Sequence, residues 1–277
     1  MSLELSIESS PKVSIGVPVY NGEGYVKGAI DSLLAQTFDD FELIISDNAS
    51  TDNTEQICRD YAERDPRIRY IRQSENIGPG ANFKFVLDQA VGRYFMWAAA
   101  DDRREPCFLE MTVRVLEEDP RVGLAFSDII LKNLETNEAV KTPVGYSGSN
   151  RKSRRYHFRL KHSCPNLIYG LHRIELVRQI GVQNYDYFDV HLTHWYELNS
   201  MIKTIPLFLF IAGIKARRIP YSVTGGLLDS SQFLQAEWHL LRENLPLARA
   251  LGFFLMTWNL TRKSVKRLNR LIRAHLN

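Results

Sequence analysis

Between residues 13 and 126, short apolar runs alternate with stretches whose apolar side chains recur every third or fourth position. Runs at 13–17, 41–46, 68–71, 94–98 and 122–126 have the length and composition of strands. Tyr25, Val26, Ala29, Ile30, Leu33 and Leu34 mark one helical face. Ile57, Cys58, Tyr61 and Ala62 mark a second, and Phe83, Val86, Leu87 and Ala90 a third. A fourth helix is expected over 108–116. Strands separated by helices are joined by crossovers, which make a mainly parallel sheet covered on both faces. The expected class is therefore α/β. Such sheets bind ligands beyond the carboxyl ends of their strands. The informative stretches are 18–21, 47–52, 73–80 and 99–104, which follow expected strands and concentrate polar groups.

The 277 residues suffice for one large domain or a domain with an appendage. The apolar share of 44% supports a full core, and a net charge of +3 is too small to imply nucleic acid. Cys58, Cys107 and Cys164 show no CxxC spacing, so a zinc site is not expected. Reduced thiols fit a cytoplasmic protein. Residues 1–10 contain Glu4 and Glu8 and lack the apolar core of a signal peptide. The apolar runs at 205–214 and 251–258 fall short of the roughly 18 residues of a spanning helix.

The first strand runs into Pro18-Val19-Tyr20-Asn21, and the second into Ser46-Asp47-Asn48-Ala49-Ser50-Thr51-Asp52. Glu75-Asn76-Ile77-Gly78-Pro79-Gly80-Ala81-Asn82 precedes the fourth, which ends in Ala100-Asp101-Asp102. In this order and spacing the chain resembles the inverting glycosyltransferase family 2, over roughly residues 13–224 and most densely before 126. The resemblance implies a GT-A fold and a nucleotide-sugar donor (UDP- or dTDP-linked); a saccharide or lipid-linked acceptor is expected, the lipid-linked case resting on the basic C-terminal stretch. The expected division is a catalytic domain over 1–225, with a nucleotide-sugar half at about 11–128 and an acceptor half at about 129–225, followed by a helical basic extension at 226–277.

Two adjacent acids at a strand end would repel a diphosphate unless a hard cation sat between them. Mg²⁺ and Mn²⁺ suit oxygen ligands, and Mg²⁺ uses one or two carboxylates plus substrate phosphates. Asp101 and Asp102 fit that role, and Asp101 is also a nucleotide contact in this reading. The alternative is a solvated pair opening the helix at 108. The family often has an acid two places before the first of this pair, and here that place is Ala99.

By resemblance, Asp47 accepts a hydrogen bond from the base, since an ionised acid accepts only. The alternative is an Asx turn or helix cap, and base binding is the favoured reading. Asp52 reads as a cap. Pro18 and Tyr20 would line the base and ribose pocket. Asn21, Asn76 and Gly78 are further nucleotide-site candidates, each with a turn or loop reading beside it. The resemblance also implies an acid near the start of a later helix as general base. Tyr187-Phe188-Asp189-Val190-His191 supplies Asp189, with Asp186 second, and Phe188 stands where an acid usually precedes.

After residue 133 the pattern weakens: 141–155 reads as a mobile loop, 173–180 and 190–203 as helices, and the stretch from about 235 as helical. Arg217 and Arg218 read as exposed arginines or as reaching the diphosphate. The stretch 251–277 combines Phe253, Phe254 and Trp258 with a basic amphipathic pattern. It suits an anionic membrane surface, or a helix packed on the catalytic domain. Two rivals remain. A dinucleotide-dependent oxidoreductase would need GxGxxG after the first strand, and Pro18-Val19-Tyr20-Asn21 does not supply it. A non-catalytic protein that kept the fold would bind nucleotide sugar without turnover.

Overall fold

The computed structural model describes residues 10–144, 164–182 and 188–214, with 238–239, 241–243 and 250. Strands β1 (Val13–Val19), β2 (Phe41–Asp47), β3 (Ile68–Arg72) and β4 (Tyr94–Trp97) alternate with helices α1 (Val26–Leu34), α2 (Thr54–Arg64) and α3 (Pro79–Gln89). After β4 come β5 (Arg103–Arg104), α4 (Phe108–Glu118), β6 (Val122–Asn133) and β7 (Ala139–Thr142). A 3₁₀ turn (Pro165–Tyr169), β8 (Leu171–Arg173), α5 (Ile174–Ile180), α6 (Phe188–Asn199) and β9 (Met201–Ile214) follow.

These strands form one sheet in the order β3-β2-β1-β4-β8-β6-β9-β5, with β7 on β6. β1 pairs parallel with β2 and β4, β2 with β3, and β6 with β9. β8 is antiparallel to both β4 and β6, so β6 and β9 run in the same direction as β1–β4. The carboxyl ends of six strands therefore share one edge. β2 and β4 are buried at every position, as expected of strands covered on both faces. α1 buries Val26, Ala29, Ile30 and Leu33 at the spacing of a single helical stripe.

The first half matches the expected strands and helices closely. The later half differs. β6 continues to Asn133, beyond the strand expected at 122–126, because it pairs along its length with β9. The helix expected over 190–203 is α6, which stops at Asn199, and 201–203 begin β9. The apolar run at 205–214 is strand, with both faces partly covered. Lys141 and Thr142 close β7, whereas 145–163 lie outside the described residues. So do Asp186, Arg217, Arg218 and the stretch 251–277, where the membrane expectation falls. Among the described residues no helix is long and apolar enough to cross a membrane.

At the centre of the sheet, His172 of β8 is fully buried beside Trp97, with ring centroids 5.5 Å apart. Its Nε2 lies 2.9 Å from the Ile168 carbonyl, which can only accept, so Nε2 carries the proton. Nδ1 then accepts from the Tyr196 hydroxyl at 3.0 Å. Burial pulls the imidazole down to about 4 from its ordinary 6.5, against the opposing Ile168 bond. The folded state thus favours the neutral ring. This contribution is complete above the unfolded value and is lost as pH falls from about 6.5 to about 4, a loss of about 3 kcal/mol. Chemical unfolding at pH 7 and pH 4 should show wild type losing more stability than His172→Gln by about that amount. Equal losses would remove His172 as the cause.

Candidate active site

The site is built at the shared carboxyl edge. β1 ends at Val19, and Tyr20 just beyond it is 49% exposed, leaving an aromatic face open. Asn21 adopts φ 50° and knits the β1 and β2 loops together. Its Oδ1 accepts the Thr51 N–H at 2.8 Å, and its own N–H donates to Ser50 Oγ at 2.9 Å. Asn21 thus takes the turn role that its sequence allowed.

Asp47, the last residue of β2, is fully buried. Its Oδ2 accepts the Tyr70 hydroxyl and Arg72 Nη1, each at 2.8 Å, and Oδ1 accepts the Ser50 N–H at 2.9 Å. The turn reading of Asp47 is therefore realised. A base N–H would have to displace one of these donors, and Arg72, with a third of its side chain exposed, has the most freedom to yield. Arg72 also binds the Ser50 carbonyl at 3.0 Å and Glu55 at 3.2 Å. Burial, then the bond to Asp47, pushes the Tyr70 phenol upward. Tyr70 and Arg72 were missed from sequence. Their only signal was alternation on β3, which puts 68, 70 and 72 on one face.

Ala49 in this loop sits at φ 58°. A side chain in that region costs roughly 1–2 kcal/mol relative to ordinary backbone, and glycine avoids the cost. Ala49→Gly should therefore stabilise the fold by about 0.5–1 kcal/mol after its larger unfolded-state entropy is counted. Denaturant midpoints at constant m-value measure this, and a lowered midpoint would contradict it.

The loop before α3 is held by amides. Asn48 donates to Asn76 Oδ1 at 2.9 Å and accepts the Ile77 N–H at 2.8 Å. Asn76 Oδ1 also takes the Gly78 N–H at 2.9 Å, so Asn76 shapes the loop. Gly78 has φ 83° and ψ 161°, a region essentially reserved for glycine, with open space where a side chain would stand. Gly78 is half-buried, and its loop is tied to the end of β2 through Asn48.

Beyond β4 the chain turns through 98–102 to the acid pair. The Ala98 N–H donates to the Gly16 carbonyl at 2.8 Å, and the Asp102 N–H to the Ala99 carbonyl at 3.2 Å. Asp102 is 4% exposed, and its Oδ1 accepts the Gly213 N–H of β9 at 3.0 Å. Asp101 is half-buried, and its carboxylate takes no hydrogen bond among the described residues. β5 separates the pair from α4, which begins at Phe108, so the acids do not open that helix. Among the described residues no three His, Cys, Asp or Glu side chains cluster as a metal cage. Two adjacent carboxylates, one half-buried and one nearly buried, fit a hard cation that takes its other ligands from substrate phosphates and water.

Behind the pair, Arg104 is 3% exposed. Its Nη2 donates to the Trp97 carbonyl at 2.9 Å and the Tyr169 carbonyl at 3.2 Å. Phe108 and Phe210 present ring faces at 5.4 and 5.1 Å. Burial pulls the guanidinium down to about 10, against the pull of Asp102. Arg104 lies in the polar stretch 99–104 without a role marked by its neighbours, and Gly213 does not stand out, because Tyr169 and Asp102, which they bond, are 65 and 111 residues away.

Asp189 lies in the first turn of α6 and is half-buried. Burial pushes its carboxyl upward, against the Val190 N–H, its own N–H and the charge of His194. A carboxylate whose affinity for protons is raised by burial is a stronger base than an exposed one, which suits proton abstraction. α6 packs on β9 and on the 3₁₀ turn that bonds Arg104.

Residues 14–174 match the family described as Glycosyl transferase family 2. An uncharacterised glycosyltransferase of Rickettsia typhi is 38% identical over 109 residues, covering 39% of this chain and 33% of that protein. Glycosyltransferase GlyA of Streptococcus pneumoniae is 35% identical over 119 residues, 42% of this chain and 17% of that protein. This chain thus matches a third or less of the length of these two relatives. Among solved structures, S. aureus TarS 1–349 in complex with UDP-GlcNAc superposes with a TM-score of 0.64 at 19% identity, covering 90% of this chain and 72% of that one. The mannosyltransferase PcManGT of Pyrobaculum calidifontis, in complex with GDP-Man and Mn²⁺, gives 0.60 at 18%, covering 96% and 76%. At these identities the likeness establishes the GT-A fold.

Proposed function

We propose that this chain, which belongs to glycosyl transferase family 2, transfers a sugar from a nucleoside-diphosphate donor to an acceptor hydroxyl with inversion. The observation that carries the reading is the Asp101–Asp102 pair, held at the shared carboxyl edge by Gly213 with the Asp101 carboxylate unengaged among the described residues. UDP- or dTDP-sugars are the favoured donors, a choice supported by the UDP-GlcNAc complex of the similar TarS structure. Mg²⁺ or Mn²⁺ held by Asp101 and Asp102 would stabilise charge on the departing diphosphate. The Mn²⁺ in the PcManGT complex supports that cofactor.

The remaining roles fall to this chain's own groups. Tyr20 offers its exposed ring to the base, beside Pro18. Asp47 reads a base donor once Arg72 yields, and Gly78 lets backbone approach the ligand. Asp189 takes the acceptor proton while the hydroxyl attacks the anomeric carbon from the face opposite the diphosphate. Holding both substrates in line supplies much of the rate. A saccharide or lipid-linked acceptor would enter from the half built by α6 and β9.

Thermal stabilisation by a panel of nucleotide sugars, with and without Mn²⁺, identifies the donor, since a ligand of the native state raises the melting temperature. Release of nucleoside diphosphate then distinguishes an enzyme from a binding protein, and the anomeric configuration of the product tests inversion. Stabilisation by no nucleotide sugar, in either condition, would overturn the proposal.

A further inference from the structure

We infer that Gly213 and Arg104 are positioning residues for the acid pair, so that β9 sets the geometry of the metal end of the donor site. The inference rests on the reading of Asp101 and Asp102 as cation ligands. β5 pairs antiparallel with β9, with Arg104 opposite Phe210 and Arg103 opposite Ile211. At the end of this pairing the Gly213 N–H donates to Asp102 Oδ1 at 3.0 Å and fixes the side-chain rotation of the acid.

Gly213 is needed there for close approach. A Cβ at this position would stand 2.3 Å from the Asp101 carbonyl oxygen and 3.0 Å from Leu134 Cδ1. The nearer atom is backbone, so an added methyl would have to push the acid-bearing turn itself. Two features thus converge on two adjacent acids. One is a hydrogen bond to Asp102, and the other is backbone packed against Asp101.

Arg104 ties the turn to a second segment. Its Nη2 ties the end of β4, through the Trp97 carbonyl, to the Tyr169 carbonyl of the 3₁₀ turn. Its Nε and Nη1 have no hydrogen-bond partner among the described residues, and aromatic rings flank the guanidinium. Burying such a group is costly. What it provides is a rigid link between the strand that precedes the acid pair and the segment on which α6, carrying Asp189, is packed. The donor and acceptor sides are thereby held in one register.

The test is calorimetric titration of UDP, with and without Mn²⁺, into wild type, Gly213→Ala and Arg104→Lys, with unfolding temperature as a separate readout. In Gly213→Ala the Mn²⁺-dependent gain in UDP affinity should fall by about 10-fold or more, while metal-free affinity stays within about twofold. Arg104→Lys keeps the charge but bridges two carbonyls less well, and should lose part of the same gain. A merely structural role would lower the unfolding temperature and leave the metal-dependent gain intact; that result overturns the inference and spares the functional reading. Wild type with no metal-dependent gain overturns both. If Gly213→Ala does not fold, NMR of wild type decides. Mg²⁺ added to the UDP complex should shift the Gly213 amide resonance, whereas UDP alone should not. An unmoved resonance overturns the inference.

Discussion

Replacing Asp102 with alanine is expected to nearly abolish sugar transfer and to remove the divalent-ion dependence of nucleotide binding. Asp102 is almost fully buried and already fixed by Gly213, so its carboxylate is pre-oriented before any ligand arrives. A diphosphate and the half-buried Asp101 beside it would then face each other without a complete cation site between them. Charge on the departing diphosphate would go unstabilised, and removal of a single such electrostatic contact costs on the order of 100-fold to 1,000-fold in rate. The measurement is UDP affinity with and without Mn²⁺ in wild type and variant, together with donor turnover. The same Mn²⁺ dependence in both proteins would move the cation elsewhere. The Gly213 amide also loses its acceptor in this variant, so Asp102→Asn, which retains one, is the necessary companion.

Asp189→Asn is expected to keep donor affinity and to lose turnover by about 100-fold to 10,000-fold, the usual cost of removing a general base. The amide fills the same volume and can still accept the Val190 N–H in the first turn of α6, but it cannot take a proton. Burial raises the Asp189 carboxyl above its ordinary 3.8, so in wild type the base form is lost as pH falls through that raised value. The acid limb of the kcat/KM profile should therefore lie above pH 3.8 and disappear in the variant. Retained turnover in Asp189→Asn would transfer the role to another group, with Asp186 the first to try.

Both assignments began as positions in a pattern. The acid pair was found because 94–98 reads as a buried strand and Asp101 and Asp102 follow it. The structure ends that strand at Trp97 and places the pair at the shared edge. Asp189 was placed near a helix start by resemblance, and α6 begins one residue earlier. Asp47 illustrates the boundary of such reasoning. Its place at the end of β2 was legible, but Tyr70 and Arg72, which hold its carboxylate, lie on a neighbouring strand and carry no local mark.

The sequence by itself determined the alternation of β1–β4 with α1–α3, the polar loops at their carboxyl ends, and the acids those loops present. These features are local, because a helix or strand writes its own period into a few consecutive residues. Only the tertiary structure decided that β8 runs backward between β4 and β6, and that the apolar run at 205–214 is a strand. A continuous apolar run has no periodicity to separate strand from helix, and its pairing with β6 supplies the missing constraint. Likewise, nothing near Gly213 or Tyr169 in sequence points to residues 102 or 104. Those contacts arise when the sheet brings segments 111 and 65 residues apart to one edge, where a backbone N–H and a carbonyl serve as well as any side chain and leave no signature in residue type.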